Sequence, residues 1–146
     1  NRGGKTTYHG PGQRIVYLMI NLNKRKKDIR KFVNLIEQSV ISLLKEFNIE
    51  STTFEDRIGI WVTKYNKKII KKEKKIGAIG LRIKKWVTYH GLSFNINPNL
   101  SYYENILPCG LVDCSVTSLE ELGIKLTEKE FDKIFINYFS KALNKF

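Results

Sequence analysis

Apolar residues along this chain change rhythm several times, and each rhythm predicts a different element. From Arg14 to Leu22 (Arg-Ile-Val-Tyr-Leu-Met-Ile-Asn-Leu) they run almost unbroken over strand length, which predicts a buried strand. From about Lys27 they recur at steps of three and four: Ile29, Phe32, Val33, Ile36, Val40, Leu43, Leu44 and Phe47. That spacing gives a long helix one apolar face, with Asp28 placed near its positive N-terminal end. Gly59–Tyr65 and Lys75–Ile83 read as two strands around a lysine-rich turn centred on Asn66, a residue type that tolerates left-handed backbone. Trp86 to Asn97 is a further strand, ended by Asn97-Pro98, and Ser118 to Gly123 reads as a one-turn helix with a glycine stop. Thr127 and Glu130 form a capping box that opens a last helix, with Phe131, Ile134, Phe135, Tyr138, Phe139 and Leu143 on one face. Strand, helix, strands, helix is an α/β pattern of the α+β type, and the hairpins predict a mixed sheet flanked by helices.

Composition narrows this picture. The 146 residues suit one domain, and 42% hydrophobic content with 12% aromatics argues for a folded core. No apolar run approaches the ~18 residues of a membrane span. Two cysteines, Cys109 and Cys114, are too few for a disulfide framework and lack zinc-ligand spacing with the two histidines, so no metal is expected. The net charge of +12 concentrates in Lys24–Lys31 and in Lys64–Lys75, which carries seven lysines and one glutamate. Such a field attracts an acidic partner, although AT-rich codon usage with solvation of the charges is the stronger reading of the lysine content. Nucleic acid is the least favoured of these partners.

Chemistry concentrates in two short segments. Arg2-Gly-Gly-Lys-Thr-Thr-Tyr-His-Gly-Pro-Gly-Gln13 is a glycine-dense loop whose backbone can approach a ligand closely, and Pro108-Cys109-Gly110 sets a thiol on a tight turn. Gly4-Lys5-Thr6 imitates the end of a phosphate loop, but Gly10, Pro11 and Gly12 occupy the place of the helix that such a loop requires. Gly77, Gly80 and Gly91 interrupt strands, which marks bulges or close backbone approach. Each feature also has a plain structural reading. Cys109 suits a core as well as a turn, Cys114 reads as structural, and His90 either orients a substrate or bonds within the sheet. Periodicity does not distinguish Lys75 from Lys74. The residue pattern by itself reaches a cysteine acyltransferase or hydrolase.

Four segments in order add more. Arg2 to Gln13, Lys75-Ile-Gly-Ala-Ile-Gly80, His90-Gly-Leu-Ser-Phe-Asn95, and Pro108-Cys-Gly110 with Val116-Thr-Ser-Leu119 together resemble the lipoyl(octanoyl) transferase family. The lysine precedes the cysteine by 34 residues, and the matched segments run from Arg2 to Leu119. Ser93 departs from an alanine common in that family, which puts chain-length preference in doubt. The resemblance implies the fold shared with lipoate ligases and biotin protein ligases, and a single catalytic domain over 1–146 that lacks an N-terminal segment. By motif position it implies that Cys109 is the acyl-accepting thiol and Lys75 its activating partner. The implied substrate-lining residues are Arg2, Gly3, Gly4, Lys5, Thr6, Thr7, Tyr8, His9, Ala78, Ile79, Gly80, Gly91, Leu92 and Ser93.

The implied reaction is the transfer of an octanoyl group from octanoyl-acyl carrier protein to a lysine of a lipoyl domain. Clients would be 2-oxoacid dehydrogenases and the glycine cleavage H protein, in the cytoplasm or in a mitochondrion or plastid. Exchange of one thioester for another is nearly isoenergetic, so neither ATP nor a cofactor is required. No nucleic acid or membrane is expected as partner, and the chain is expected to be monomeric. The alternatives are an ATP-dependent lipoate or biotin ligase of the same fold, and a non-catalytic basic binding domain.

Overall fold

A computed structural model of the chain describes residues 8–103 and 115–146. Among the described residues, six strands and two α-helices follow in the order β1 (Gln13–Tyr17), α1 (Ile29–Lys45), β2 (Ile49–Thr52), β3 (Ile60–Tyr65), β4 (Lys68–Lys84), β5 (Val87–Asn95), β6 (Ser115–Val116) and α2 (Glu128–Leu143), with short 3-10 turns at Leu22–Lys24 and Leu100–Tyr103. The strands form one sheet in the order β1-β5-β4-β3-β2, antiparallel throughout, with β6 added parallel to β4. This is the expected mixed sheet with helices against it.

Both helices cover one face of the sheet. Phe94 of β5 stacks on Phe131 of α2, and Phe131, Phe135 and Phe139 continue as a ladder of rings one helical turn apart. Phe32 of α1 meets Phe139 edge to face, so the two amphipathic stripes close on each other as well as on the sheet. A fully buried Phe is worth roughly 1.5–3 kcal/mol over exposure, so this aromatic column is a large share of the core. Arg14 is directly opposite Phe94 and also points to the helices, where it pairs with Asp132 and Glu128 of α2. The caps follow sequence: the Asp28 carboxylate accepts from Lys31 N–H, and Thr127 with Glu130 completes the capping box.

Several boundaries differ from the expectation. The first strand ends at Tyr17, and its continuation stays beside β5 in irregular pairing, with Leu18 N–H donating to His90 O at 2.7 Å, Thr88 N–H donating to Ile20 O at 3.0 Å and an Asn21–Val87 bridge. The lysine-rich stretch is mostly strand: only Asn66 and Lys67 turn, both with positive φ, and β4 begins at Lys68. A two-residue turn with both φ positive suits the right-handed twist of a hairpin, and β3 continues directly into β4. Pairing with β3 compensates for the exposed lysines that masked strand character. β2 was not foreseen, because its four residues carry no apolar alternation. Ser118 to Gly123 forms one hydrogen-bonded turn, with Leu122 N–H donating to Ser118 O at 3.2 Å and Gly123 in the left-handed region.

Candidate functional site

A bulge in β4 decides which way the motif lysine faces. Gly77 is paired with Phe94 and Ile60, whereas Trp61, the next residue of β3, is paired with Lys75. Ile76 is therefore an extra residue. Were Ile76 paired in regular alternation, Lys75 would share a face with Gly77, under the helices, because side chains alternate along a strand. With the bulge, Ile76 enters the core and Lys75 joins Trp61, Ala78 and Gly80 on the opposite face.

The side chain of Lys75 is buried there, 6% exposed, with Nζ 5.4 Å from the centre of the Trp61 ring. Gly59 makes the space. A Cβ on Gly59 would collide with Lys75 Cε and approach Gly77 O to 2.7 Å, and its φ of 138° disfavours any other residue. Trp61 is itself fixed from a second side. Its indole N–H donates to Arg57 O at 3.1 Å, and the Arg57 guanidinium lies 4.5 Å from its ring centre while pairing with Glu73. Two cationic side chains thus share one aromatic ring, an arrangement favoured by the negative ring face. Lys74, its neighbour in sequence, instead reaches Glu121 at the surface at 3.0 Å. Gly59, Trp61 and Arg57 were not singled out in the sequence. The glycine immediately before an aromatic strand was the signal available.

Cross-strand pairs define the rest of this face. Ala78 opposes Ser93, Gly80 opposes Gly91, and on the far side of β5 Gln13 opposes Asn95. Ala78, Gly80 and Ser93 are half-buried, which leaves a shallow surface of small residues. Gly91 has a structural duty too, since a Cβ there would collide with the Val16 carbonyl of β1. Ile79 and Leu92 are paired with each other on the helix side and pack in or against the core, so their side chains are not on the face with Lys75. His90 is exposed with φ 64°, opposite Leu81. Leu81 is six positions beyond Lys75, about 20 Å along a strand, so the structure does not bring His90 to the lysine.

Tyr8 and His9 are at the Asn95 end of this face. The Tyr8 ring stacks on Tyr102 and meets Tyr103 edge to face, and these contacts border a cavity of about 390 Å³ that Pro11, Gly12, Asn97 and Asn99 complete. Burial, the larger influence, raises the phenol of Tyr103 above its ordinary value, against a lowering contribution from its bond to Asn95. Arg2, Gly3, Gly4, Lys5, Thr6 and Thr7 lie outside the described residues, as do Cys109 and Cys114. The described ends that bracket the cysteine segment are both anchored on this face. Tyr103 bonds to Gln13, and Ser115 and Val116 pair with Lys74 and Lys75.

Residues 1–140 match the family model described as the lipoyl protein ligase A/B catalytic domain. A protein named octanoyltransferase from Wolbachia pipientis subsp. Culex pipiens is 55% identical over 141 residues, covering 96% of this chain and 66% of that one. One of the same name from Ehrlichia chaffeensis is 48% identical over 147 residues, covering 100% of this chain and 66% of the relative. The chain thus spans just under two thirds of these relatives' length. Among solved structures, the bipartite lipoate protein ligase of Thermoplasma acidophilum superposes with a TM-score of 0.67 at 16% identity, over 98% of this chain and 56% of that one. The apo biotin protein ligase of Aquifex aeolicus gives 0.66 at 18% identity, over 92% of this chain and 54% of its own. At such identities the likeness is one of fold. The family model covers nearly the whole sequence, and this chain belongs to the lipoyl protein ligase A/B catalytic domain family.

Proposed function

We propose that this chain is the catalytic part of an octanoyltransferase that moves an octanoyl group from acyl carrier protein to a lysine of a lipoyl domain. The observation that carries the reading is the buried Lys75, packed on Trp61 beside the strand through which the chain returns from the cysteine segment. Relatives named octanoyltransferase at 55% and 48% identity support the same reading.

In this proposal Cys109 is the nucleophile. A free thiol titrates near ~8.5, and a neighbouring ammonium favours the thiolate. The thiolate attacks the octanoyl thioester and forms a new carbon–sulfur bond, and the departing carrier thiolate takes a proton from the Lys75 ammonium, which leaves Lys75 as a neutral amine with no ATP consumed. The amine of the acceptor lysine then attacks the acyl-enzyme. A carbon–nitrogen bond forms, the Cys109 thiolate leaves, and Lys75 takes the amine proton. The open face of Ala78, Gly80 and Ser93 suits an unbranched apolar chain, with Ser93 adding one polar group to its wall.

Intact-protein mass spectrometry after mixing with octanoyl-acyl carrier protein tests this. The expected result is an octanoyl adduct released by hydroxylamine and mapped to Cys109. It should be absent in Cys109→Ala and present in Cys114→Ala. An adduct that persists in Cys109→Ala sinks the mechanism, and adenylate formation from ATP without any acyl-enzyme favours the ligase reading.

A further inference from the structure

An unbroken chain of hydrogen bonds runs from the glycine loop to the strand that bears Lys75. His9 Nδ1 is 3.0 Å from Gln13 Oε1. Gln13 Nε2 donates to Asn95 Oδ1 at 2.9 Å and to the Tyr103 hydroxyl. Asn95 Nδ2 donates to the Thr117 carbonyl at 3.0 Å, and Thr117 N–H donates to the Lys75 carbonyl at 2.9 Å. Gln13 and Asn95 are both buried.

The buried end fixes the direction of the whole chain. A main-chain carbonyl only accepts, so Asn95 must turn its NH2 toward Thr117 and its oxygen toward Gln13. Gln13 must then give its NH2 to Asn95, which leaves its oxygen for His9. An amide oxygen also only accepts, so Nδ1 of His9 must carry the hydrogen. Reversing either amide would set like groups against each other in a buried place, which is costly. In a neutral imidazole one nitrogen donates and the other accepts, and Nε2 of this exposed ring therefore keeps its lone pair.

We infer that His9 is locked as the Nδ1–H tautomer and offers Nε2 as a fixed acceptor to an N–H donor of substrate, with Gln13 and Asn95 as positioning residues. The substrate half of the inference rests on the acyl-transfer reading. In that reaction the octanoyl chain and its thioester carry no N–H, whereas the incoming lysine amine does. His9 thus orients the acceptor lysine, while Lys75 takes its proton.

Long-range proton–nitrogen correlation NMR on histidine-labelled protein, at about pH 8 where imidazole is ordinarily neutral, reads the tautomer directly. The chain has two histidines, and His90→Gln assigns the signals. His9 should appear as Nδ1–H, and Gln13→Met should return it toward the Nε2–H form that histidine favours in water. An Nε2–H signal for His9 in the unaltered protein overturns the relay. In single-turnover assays His9→Phe should slow aminolysis of preformed acyl-enzyme at least about tenfold, as expected for loss of a positioned contact, and slow acylation less. Equal slowing of both half-reactions overturns the assignment to the acceptor lysine. Failure of the unaltered protein to form acyl-enzyme would instead sink the transfer reading, with the tautomer still decided by NMR.

Discussion

The Lys75 ammonium owes its position to what Gly59 lacks. Any side chain at 59 would fill the space that Lys75 Cε occupies beside the Trp61 ring. Gly59→Ala is therefore expected to displace the lysine while leaving the helices and their core intact. Under the proposed mechanism, moving the cation away disfavours the Cys109 thiolate and so raises the apparent pKa of the thiol. Thiol alkylation against pH should shift to higher pH, and transfer should fall by about tenfold or more, the factor that one pKa unit represents. An unchanged alkylation profile in a folded Gly59→Ala protein would deny Lys75 its assigned role. Within the sequence, Lys74 and Lys75 are indistinguishable by composition or spacing. What separates them is a one-residue irregularity in pairing with β3, and no local pattern announces that. The family resemblance did single out Lys75, because it compares positions rather than periodicity. It placed Ile79 and Leu92 among lining residues by adjacency alone, whereas strand alternation turns them to the core.

Among the elements, α2 is the most legible and the most directly testable. Its aromatic spacing and capping box both appear as the sequence predicts. Phe131 is fully buried between Phe94 and Phe135, so Phe131→Ala should cost about 3–5 kcal/mol in denaturant unfolding. Thr127→Ala removes the N-cap and should cost about 1 kcal/mol. The Glu130 carboxylate is held below its ordinary value, first by the backbone N–H of Thr127 and then by its hydroxyl. A lowered folded value means that this contribution is present above the usual glutamate range and disappears as pH falls through the lowered value. The stability gap between the unaltered protein and Glu130→Gln should accordingly narrow on acidification. A gap that widens would contradict the assignment. β2 and the first half of β4 were harder to read for a common reason. Their strand character depends on partners distant in sequence, and their own residues are charged or polar.

For the whole molecule, charge and architecture act together. β4 carries Lys68, Lys71 and Lys72 outward beyond the part of the sheet that pairs with β5, all of them exposed. An acidic carrier or acceptor domain would be steered by this field. Increasing salt is expected to lower kcat/KM with a protein substrate while leaving single-turnover chemistry in preformed acyl-enzyme nearly constant. Lys68→Gln combined with Lys71→Gln should flatten that dependence, and a slope unchanged by both would assign the charge to solvation alone.

The extra residue at Ile76 also makes the site a question of odd and even. Every other motif side chain on the sheet keeps its facing if a strand slips by two positions, but a shift of one exchanges inside for outside. Pairing Lys75, Ile76 and Gly77 in regular alternation would carry the Lys75 ammonium through the sheet to the apolar side, whereas deleting Ile76 makes Lys75 and Gly77 consecutive and leaves the lysine on its present face. Deleting Ile76 should therefore lower stability in denaturant unfolding through its lost core side chain, while the pH profile of thiol alkylation persists in the folded protein.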